Sequence, residues 1–374
     1  MIKRTLQELC LNITDGKHGD CENEENSGYY FISCKDIFDG QINYKNARQI
    51  TKADFEETHK RTMLEVDDIL LTNSGTIGRM AFVTDREATT KTTFQKSVAI
   101  IKPDKQKVLP RYLYYQLQNC VPQFINSSNG SAQKNLLLST MRTFQIEIEE
   151  NREKQEKIAN TLSAYDDLIE NNQKQIKLLE EAAQRLYKEW FVDLRFPGYE
   201  NTKIVGGVPE GWRRGLLKEL ISVNYGKDHK KAPDDGNVPV YGSGGLMRKC
   251  NKSLFSGEAV LIPRKGSLNN IMYVDETFWT VDTMFYATMK QPHTAVFVYF
   301  FVKAFDMYSM NIGAAVPSMT TKILDAMDVV IPDKETLEKF DKLTKTYFNK
   351  IKTLQGQNER LKTARDLLLP KLMY

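Results

Sequence analysis

Two turn-forming segments of this 374-residue chain combine glycine with amide, hydroxyl and basic side chains. Arginine and lysine can pair with guanine edges or phosphates, and asparagine and glutamine can pair with adenine. Glycine lets the main chain approach a nucleic-acid backbone closely. These residue types predict contact with DNA. The residues that carry the prediction are Asn73, Ser74, Gly75, Thr76, Arg79, Lys91, Gln95 and Lys96 for the first segment, and Tyr241, Gly242, Ser243, Arg264, Lys265, Gly266, Ser267, Asn269 and Asn270 for the second.

The motifs of common enzyme classes are missing from the sequence. It contains no GxxxxGK[ST] phosphate loop and no HExxH zinc motif. The glycines of NSGTIG (73–78) and YGSGG (241–245) do not form GxGxxG at the start of a helix, so we expect tight turns between strands instead of a nucleotide cradle. The four histidines are isolated and the five cysteines form no CxxC pair. We therefore expect a non-catalytic chain with no metal and no cofactor of its own.

The overall charge neither requires nor excludes a nucleic-acid partner. The formal net charge is only +4, although 27% of the residues are charged, so a phosphate-binding surface must be a local patch. The N-terminus, MIKRTLQELC, is too polar for a signal peptide, and no apolar run approaches the roughly 18 residues of a membrane span. These features predict a soluble, cytoplasmic protein.

Two long segments share one apolar rhythm and position the turn-forming regions. Their apolar positions alternate at spacings of four and three, and a constant offset of 182 residues relates the segments, which indicates duplication. This spacing is the seam of a coiled coil. The linker between them is long enough to return the chain, so we expect an antiparallel pair. The stripes are Ile158, Leu162, Tyr165, Ile169, Asn172, Ile176, Leu179, Ala183, Leu186 and Trp190, and then Phe340, Thr344, Tyr347, Ile351, Leu354, Asn358, Leu361, Arg365, Leu368 and Leu372.

The regions before the two stripes also repeat. DDILLTNSGTIGRMAFV (67–83) returns as GEAVLIPRKGSLNNIMYV (257–274), with one extra residue ahead of the turn glycine, and LQEL (6–9) returns as LKEL (217–220). Short β-type runs between turn residues predict mixed α/β domains. The expected fold is α+β, with two pseudo-symmetric mixed α/β domains separated by a long antiparallel two-helix coiled coil. The predicted boundaries are 1–150 for the first domain, 151–191 for the central helix, 192–212 for a linker, 213–332 for the second domain and 333–374 for the distal helix.

Each stripe contains one amide, Asn172 or Asn358. An approximate dyad through the centre of the stripe would bring these amides together, and a paired buried amide fixes register at some cost in stability. The alternative is that both lie in wet or frayed layers.

Two further surfaces have open interpretations. The loop residues Gly130, Ser131, Gln133 and Lys134, echoed at Gly313 and Pro317, are expected to approach the DNA backbone, although plain capping turns would explain them too. The outward helix face with Glu180, Glu181, Arg185 and Lys188 could dock a partner or could simply be solvated.

The chain resembles the specificity subunit of type I restriction–modification systems over essentially its whole length. NREKQEKIANTLSAYDDLIENNQKQIKLLEEAAQRLYKEWF (151–191) is similar to the central conserved region of that family, and KFDKLTKTYFNKIKTLQGQNERLKTARDLLLPKLM (339–373) is similar to the distal one. VPEGWRRGLLKEL (208–220) looks like the entry into a target recognition domain, whereas residues 1–10 lack this PEGW entry. Arg365 and Thr344 depart from an apolar seam, so looser helix ends are expected.

The resemblance implies a DNA-recognition and assembly role. Each recognition domain would read one half of a split double-stranded site, and the helices would act as a ruler that sets the unread spacer. The conserved regions would dock two methyltransferase (modification) subunits, which would bind S-adenosylmethionine, and endonuclease/translocase (restriction) subunits would join them. Two other function classes remain open from the residues alone: a coiled-coil scaffold that binds proteins, and an enzyme with its own nuclease or methyltransferase activity.

Overall fold

The computed structural model describes residues 1–128, 134–310 and 318–373. The chain forms two compact units, one of Met1–Asn171 with Asn358–Tyr374 and one of Asn172–Gln357. Both boundaries between the units fall inside long helices, so each unit contains part of both. The predicted segment boundaries at 150, 191, 212 and 332 stay a prediction. No helix in the described ranges combines the length and apolar character needed to cross a bilayer.

The first unit is a mixed α/β domain to which parts of the long helices are attached. Its strands are β1 (Ile2–Thr5), β2 (Cys10–Asp15), β3 (Tyr30–Ile32), β4 (Ile37–Phe38), β5 (Gln41–Ile42), β6 (Arg48–Gln49), β7 (Ile69–Thr72), β8 (Met80–Phe82), β9 (Thr92–Phe94), β10 (Val98–Pro103) and β11 (Gln145–Ile148). Its helices are α1 (Lys52–Thr62), α2 (Arg86–Thr89), α3 (Pro110–Asn119), α4 (Val121–Asn126), α5 (Leu138–Thr143) and the start of α6 (Arg152–Tyr187).

The central sheet of the first unit has the antiparallel order β2-β10-β7-β8. Alternate residues of β7 enter two different cores, because side chains point to opposite faces of a strand. Ile69 and Leu71 pack with α3 residues such as Leu113, whereas Leu70 packs with Ile32 and Phe94. Coverage of both faces explains why the sequence of this strand is a continuous apolar run.

The second unit has the same plan. Its strands are β12 (Ile204–Val205), β13 (Val208–Pro209), β14 (Arg213–Leu216), β15 (Ile221–Tyr225), β16 (Val238–Gly242), β17 (Gly245–Cys250), β18 (Phe255–Pro263), β19 (Met272–Thr280), β20 (Met284–Met289) and β21 (Asp328–Ile331). Its helices are α7 (Ala295–Lys303), α8 (Thr321–Asp325), the end of α6 and the start of α9 (Lys334–Met373).

Sheet topology confirms the internal repeat. The order β15-β20-β18-β19 reproduces β2-β10-β7-β8 of the first unit, and the pair β14–β21 reproduces β1–β11. A small carboxylate cap recurs as well. Glu8 Oε2 accepts the Thr5 backbone N–H at 2.6 Å, and Glu219 Oε1 accepts the Leu216 backbone N–H at 2.8 Å. The repeated LQEL and LKEL motifs thus start each domain in the same way.

The two long helices carry the predicted stripes. All ten stripe positions of α6 and its continuation, and all ten of α9, are buried or half-buried, whereas off-stripe leucines such as Leu178 are exposed. Within the first unit, Ala159 and Leu162 near the start of α6 share a core with Met373 at the end of α9. Within the second unit, Ala183 near the end of α6 shares a core with Phe340 near the start of α9. The pairing in each unit therefore matches an antiparallel coiled coil.

Both long helices have an unusual last turn. The first helix closes with a π-helical turn, Lys188–Val192, which places Trp190 in the core. The second helix continues through Pro370 to Met373, although proline removes one helical hydrogen bond. Met373 is fully buried in the first unit, and this burial stabilises the last turn.

The expectation of looser helix ends is wrong. Thr344 is fully buried and its hydroxyl donates to the Phe340 carbonyl at 2.8 Å, so the polar group is satisfied within the helix. Arg365 forms an ion pair with Asp166. The polar groups at these two seam positions therefore have partners, a backbone carbonyl for Thr344 and a carboxylate for Arg365.

Candidate nucleic-acid interface

The first predicted turn connects β7 to β8 and has a defined shape. Gly75 has φ +76°, a backbone conformation that favours glycine. Thr72 is fully buried at the end of β7, and its hydroxyl donates to the Thr76 carbonyl and accepts the Arg79 N–H at 2.9 Å. The turn is therefore held from within by a threonine hydroxyl. The expectation of a tight turn between strands is confirmed at this position.

Neighbouring segments attach to the same turn through backbone hydrogen bonds. The Asn73 N–H donates to the Ser97 carbonyl at 3.1 Å, and the Ser97 hydroxyl accepts the Cys34 N–H at 3.1 Å. On the other side, the Asn73 carbonyl accepts the Leu136 N–H at 2.8 Å. Three segments distant in sequence thus meet at one end of the central sheet.

These segments carry a group of cations, which we call the first turn patch: Lys35, Arg79, Lys96 and Lys134. All four side chains are exposed, and none forms an ion pair within the ranges that the structure describes. Arg79 reaches the Cys34 carbonyl with Nη1 at 3.5 Å, beside Lys35. Exposed positive charge without carboxylate partners is what phosphate binding requires.

Not every predicted residue of the first domain belongs to this patch. Lys91 precedes β9 and pairs with Glu87, whereas Gln95 follows β9, so the strand separates them. Asn73 is buried, with an Oδ1 that has no hydrogen-bond partner in the described part of the chain. Gly130, Ser131 and Gln133, with the echo at Gly313 and Pro317, lie outside the described residues.

The second turn is the structural counterpart of the first. It connects β18 to β19, and Gly266 has φ +82°, matching Gly75 of the first repeat. A Cβ on Gly266 would lie 2.5 Å from Ser243 Oγ, which shows how closely the β16–β17 hairpin approaches. Asn270 Nδ2 donates to the Ser243 carbonyl at 2.8 Å. The structure thus brings the 241–243 and 264–270 parts of the second predicted segment together into one surface.

Basic side chains surround the second turn, and we call Lys227, Arg264 and Lys265 the second turn patch. None of the three forms an ion pair within the described ranges. The Arg264 guanidinium carbon lies 5.4 Å from the ring centroid of Tyr225, which is 54% exposed, so an aromatic face accompanies the charge. Lys265 and Ser267 are exposed beside it.

Two predicted residues of the second domain are engaged with the protein itself. Asn269 Nδ2 donates to Asp306 Oδ1 at 2.9 Å, and its Oδ1 accepts the Met307 N–H at 2.8 Å. The Tyr241 hydroxyl donates to Glu276 Oε1, and burial together with this carboxylate raises the pKa of Tyr241 above its ordinary value. In the observed geometry both side chains hold protein segments together, and their contact with DNA stays a prediction.

Sequence reasoning missed one repeated pair. Gly16-Lys17 follows β2 and Gly226-Lys227 follows β15. A Cβ on Gly16 would lie 1.9 Å from the Phe94 carbonyl oxygen, and one on Gly226 would lie 2.0 Å from that of Val281, so only glycine fits. The signal was available, because DGK after LQEL and YGK after LKEL extend the repeat that the sequence already displays.

Comparison with known proteins decides the family. The family model for the type I restriction modification DNA specificity domain matches residues 3–181 and 209–363. The chain belongs to this family. The specificity subunit of the type I restriction enzyme MjaIX from Methanocaldococcus jannaschii is 26% identical over 391 residues, which cover 92% of this chain and 85% of that protein. The EcoBI specificity subunit from Escherichia coli is 26% identical over 245 residues, covering 62% of this chain and 48% of that protein.

A solved structure agrees on the fold. The crystal structure of the type I restriction–modification S subunit from M. genitalium has a TM-score of 0.60 and 18% identity, and the match covers 99% of this chain and 95% of that chain. The family and the fold confirm the resemblance drawn from the two helical segments. The family also decides among the three function classes, because the relatives are specificity subunits, which have a non-catalytic role in DNA recognition.

Proposed function

We propose that each recognition domain binds one half of a bipartite double-stranded DNA site through its turn patch. The observation that carries this proposal is that the same topological position in both units, the turn after β7 and the turn after β18, has a positive-φ glycine beside cations with no carboxylate partner among the described residues. Two equivalent surfaces in one chain suit a site with two separate halves.

The residues of the two turns suit two roles, phosphate binding and base contact. Arg79, Lys96 and their neighbours would neutralise phosphates, which supplies affinity and fixes orientation. Arg264 of the second turn would contact base edges in the major groove, which supplies specificity. Arg264, held over the exposed Tyr225 ring, is pre-ordered for such a contact.

We further propose that α6 and α9 set the spacer between the half-sites and dock two methyltransferase subunits. The outward face that includes Glu180, Glu181, Arg185 and Lys188 would contribute to that docking. S-adenosylmethionine would be bound by the methyltransferase subunits, and endonuclease/translocase subunits would join the same complex. The complex would act in the cytoplasm. The family supports DNA and these subunits as partners, and the stoichiometry is part of the proposal.

Binding measured against salt concentration tests the role of the first turn patch. Each phosphate contact contributes about 0.9 to the slope of log K against log salt, so Arg79→Ala with Lys96→Ala should reduce the slope by roughly two and weaken binding by the assembled complex. Arg86→Ala is the matched control. Arg86 is exposed, forms no ion pair within the described ranges and lines one cavity with Asp67, at the end of β7 opposite the turn. An equal loss per removed cation in both variants would refute the assignment of this patch.

A further inference from the structure

The second recognition turn is attached to a segment that no sequence motif indicated. Asp306, Met307 and Tyr308 follow α7, about forty residues after the turn in sequence. The Tyr308 hydroxyl donates to the Gly266 carbonyl at 2.9 Å and accepts the Leu268 N–H at 3.2 Å. One side-chain oxygen therefore bonds the backbone of the turn on both sides of Ser267.

A second pair of hydrogen bonds reinforces the same attachment. Asn269 Nδ2 donates to Asp306 Oδ1, and Asn269 Oδ1 accepts the Met307 N–H. Asp306 Oδ1 also accepts the Tyr308 N–H at 3.2 Å. These bonds lower the pKa of Asp306, since they favour its charged form. Below this polar layer, Leu268 and Met307 are fully buried in one core. The turn and the segment are thus joined through both layers.

The first unit has a counterpart with different chemistry. Gly78 is the residue that the sequence repeat aligns with Asn269, and a Cβ there would lie 2.5 Å from Val121 Cγ1. Val121 begins α4, which follows α3 as Asp306 follows α7. The segment after the domain helix therefore contacts the recognition turn at the same place in both units. The first contact is apolar and close, and the second is made of hydrogen bonds.

From this we infer that Tyr308 is a positioning residue for DNA recognition by the second domain. Its hydroxyl holds the main chain at Gly266–Leu268 in one conformation, so that Arg264, Lys265 and Ser267 are presented to the DNA without reordering on binding. A turn that is fixed before binding discriminates better between sites, because a loose turn can adapt to a mismatched one. The inference rests on the proposed function, since it assigns a residue that acts through the second turn patch.

Tyr308→Phe removes the hydroxyl and keeps the ring. The assembled complex is tested against DNA in which either the first or the second half-site is randomised, and the bound or methylated sequences are read. We expect the preference for the cognate second half-site to fall by about threefold to tenfold, the range for the loss of one or two hydrogen bonds. Preference at the first half-site should stay unchanged. Tyr199→Phe is the matched control, because Tyr199 is 41% exposed in the same unit and its hydroxyl forms no hydrogen bond within the described ranges.

The outcomes separate this inference from the proposed function. A merely structural role would lower thermal stability and weaken binding to all sequences without changing base preference, and that result would overturn the inference. Unchanged preference at the second half-site in Tyr308→Phe would overturn it too. If the complex with the unsubstituted chain showed no two-part sequence preference, the proposed function would fail instead.

Discussion

Arg365 of α9 and Asp166 of α6 form an ion pair across the two helices in the first unit, with Nη1 2.5 Å from Oδ1. The other carboxylate oxygen of Asp166 accepts the Tyr115 hydroxyl of α3 at 2.6 Å, so this residue links three helices. Burial opposes the charge on Arg365, but the Asp166 and Asp366 carboxylates outweigh it and raise the pKa of Arg365. A position that breaks the apolar stripe thus contributes a specific helix contact.

Removing one partner of this ion pair should destabilise the protein. Arg365→Met leaves the Asp166 carboxylate, only 22% exposed, without its cation, which should cost about 1–3 kcal/mol, below the value for a fully buried pair. Unfolding by denaturant measures the loss. Arg360→Met is the control, because Arg360 is exposed on the same helix and has no ion pair within the described ranges. Equal stability of the two variants would show that the contact contributes nothing.

The aromatic cluster of Trp190, Phe191 and Phe340 in the second unit should contribute more to the free energy of unfolding than this ion pair. Phe340 is fully buried, and its ring centroid lies 4.8 Å from that of Phe191 and 5.8 Å from that of Trp190. Phe340→Ala should cost about 3–5 kcal/mol through lost burial and the cavity left behind. Leu343→Ala, at a 45% exposed position three residues further along, should change the free energy of unfolding by less than about 1 kcal/mol. A cost below 1 kcal/mol at Phe340 would contradict the packing described here.

Asp68 should make stability depend on pH. Burial raises the pKa of its carboxyl to about 6, although hydrogen bonds from Lys102 and from the Glu65 N–H act in the opposite direction. The folded state therefore holds the proton more tightly than the unfolded state, whose pKa is near 4. This contribution to stability is complete below pH 4 and is lost as the pH rises through 6.

The Asp68 prediction is checked with Asp68→Asn, which cannot titrate. The thermal midpoint of the unsubstituted protein should fall steadily relative to that of Asp68→Asn as the pH rises from 4.5 to 6.5. A constant difference across this range would show that folding does not raise the pKa of Asp68.

The apolar periodicity and the repeat predicted most of the fold, because both reflect burial, which is read directly from residue type. The ten stripe positions of each long helix are buried or half-buried for this reason. The recognition turns were placed between the correct strands. Residues that act through single hydrogen bonds between distant segments, such as Tyr308 and Ser97, could not be found, since nothing in the local pattern marks them. Asn269 shows the opposite difficulty: its residue type predicted a base contact, but in the structure its amide is hydrogen-bonded to Asp306 and Met307.

The pairing of the two stripe amides stays a prediction. Asn172 and Asn358 are 7% and 8% exposed. Asn172→Leu or Asn358→Leu alone should destabilise the protein by about 1–3 kcal/mol if the remaining amide loses its partner. The double variant should regain most of that stability and lose the fixed register, which altered spacing of the methylated half-sites would reveal. Additive losses in the double variant, with unchanged spacing, would rule out pairing.

The spacer between the two modified half-sites is the most direct test of the proposal that α6 and α9 set the distance between the half-sites. Inserting four residues after Asn171 and four after Gln357 lengthens each helix by roughly 6 Å and keeps the apolar stripe continuous. Sequencing of methylated genomic DNA from cells that carry the extended subunit should then show both half-sites unchanged and the unread spacer longer by one or two base pairs, at about 3.4 Å per pair. An unchanged spacer, with methylation retained, would contradict the account.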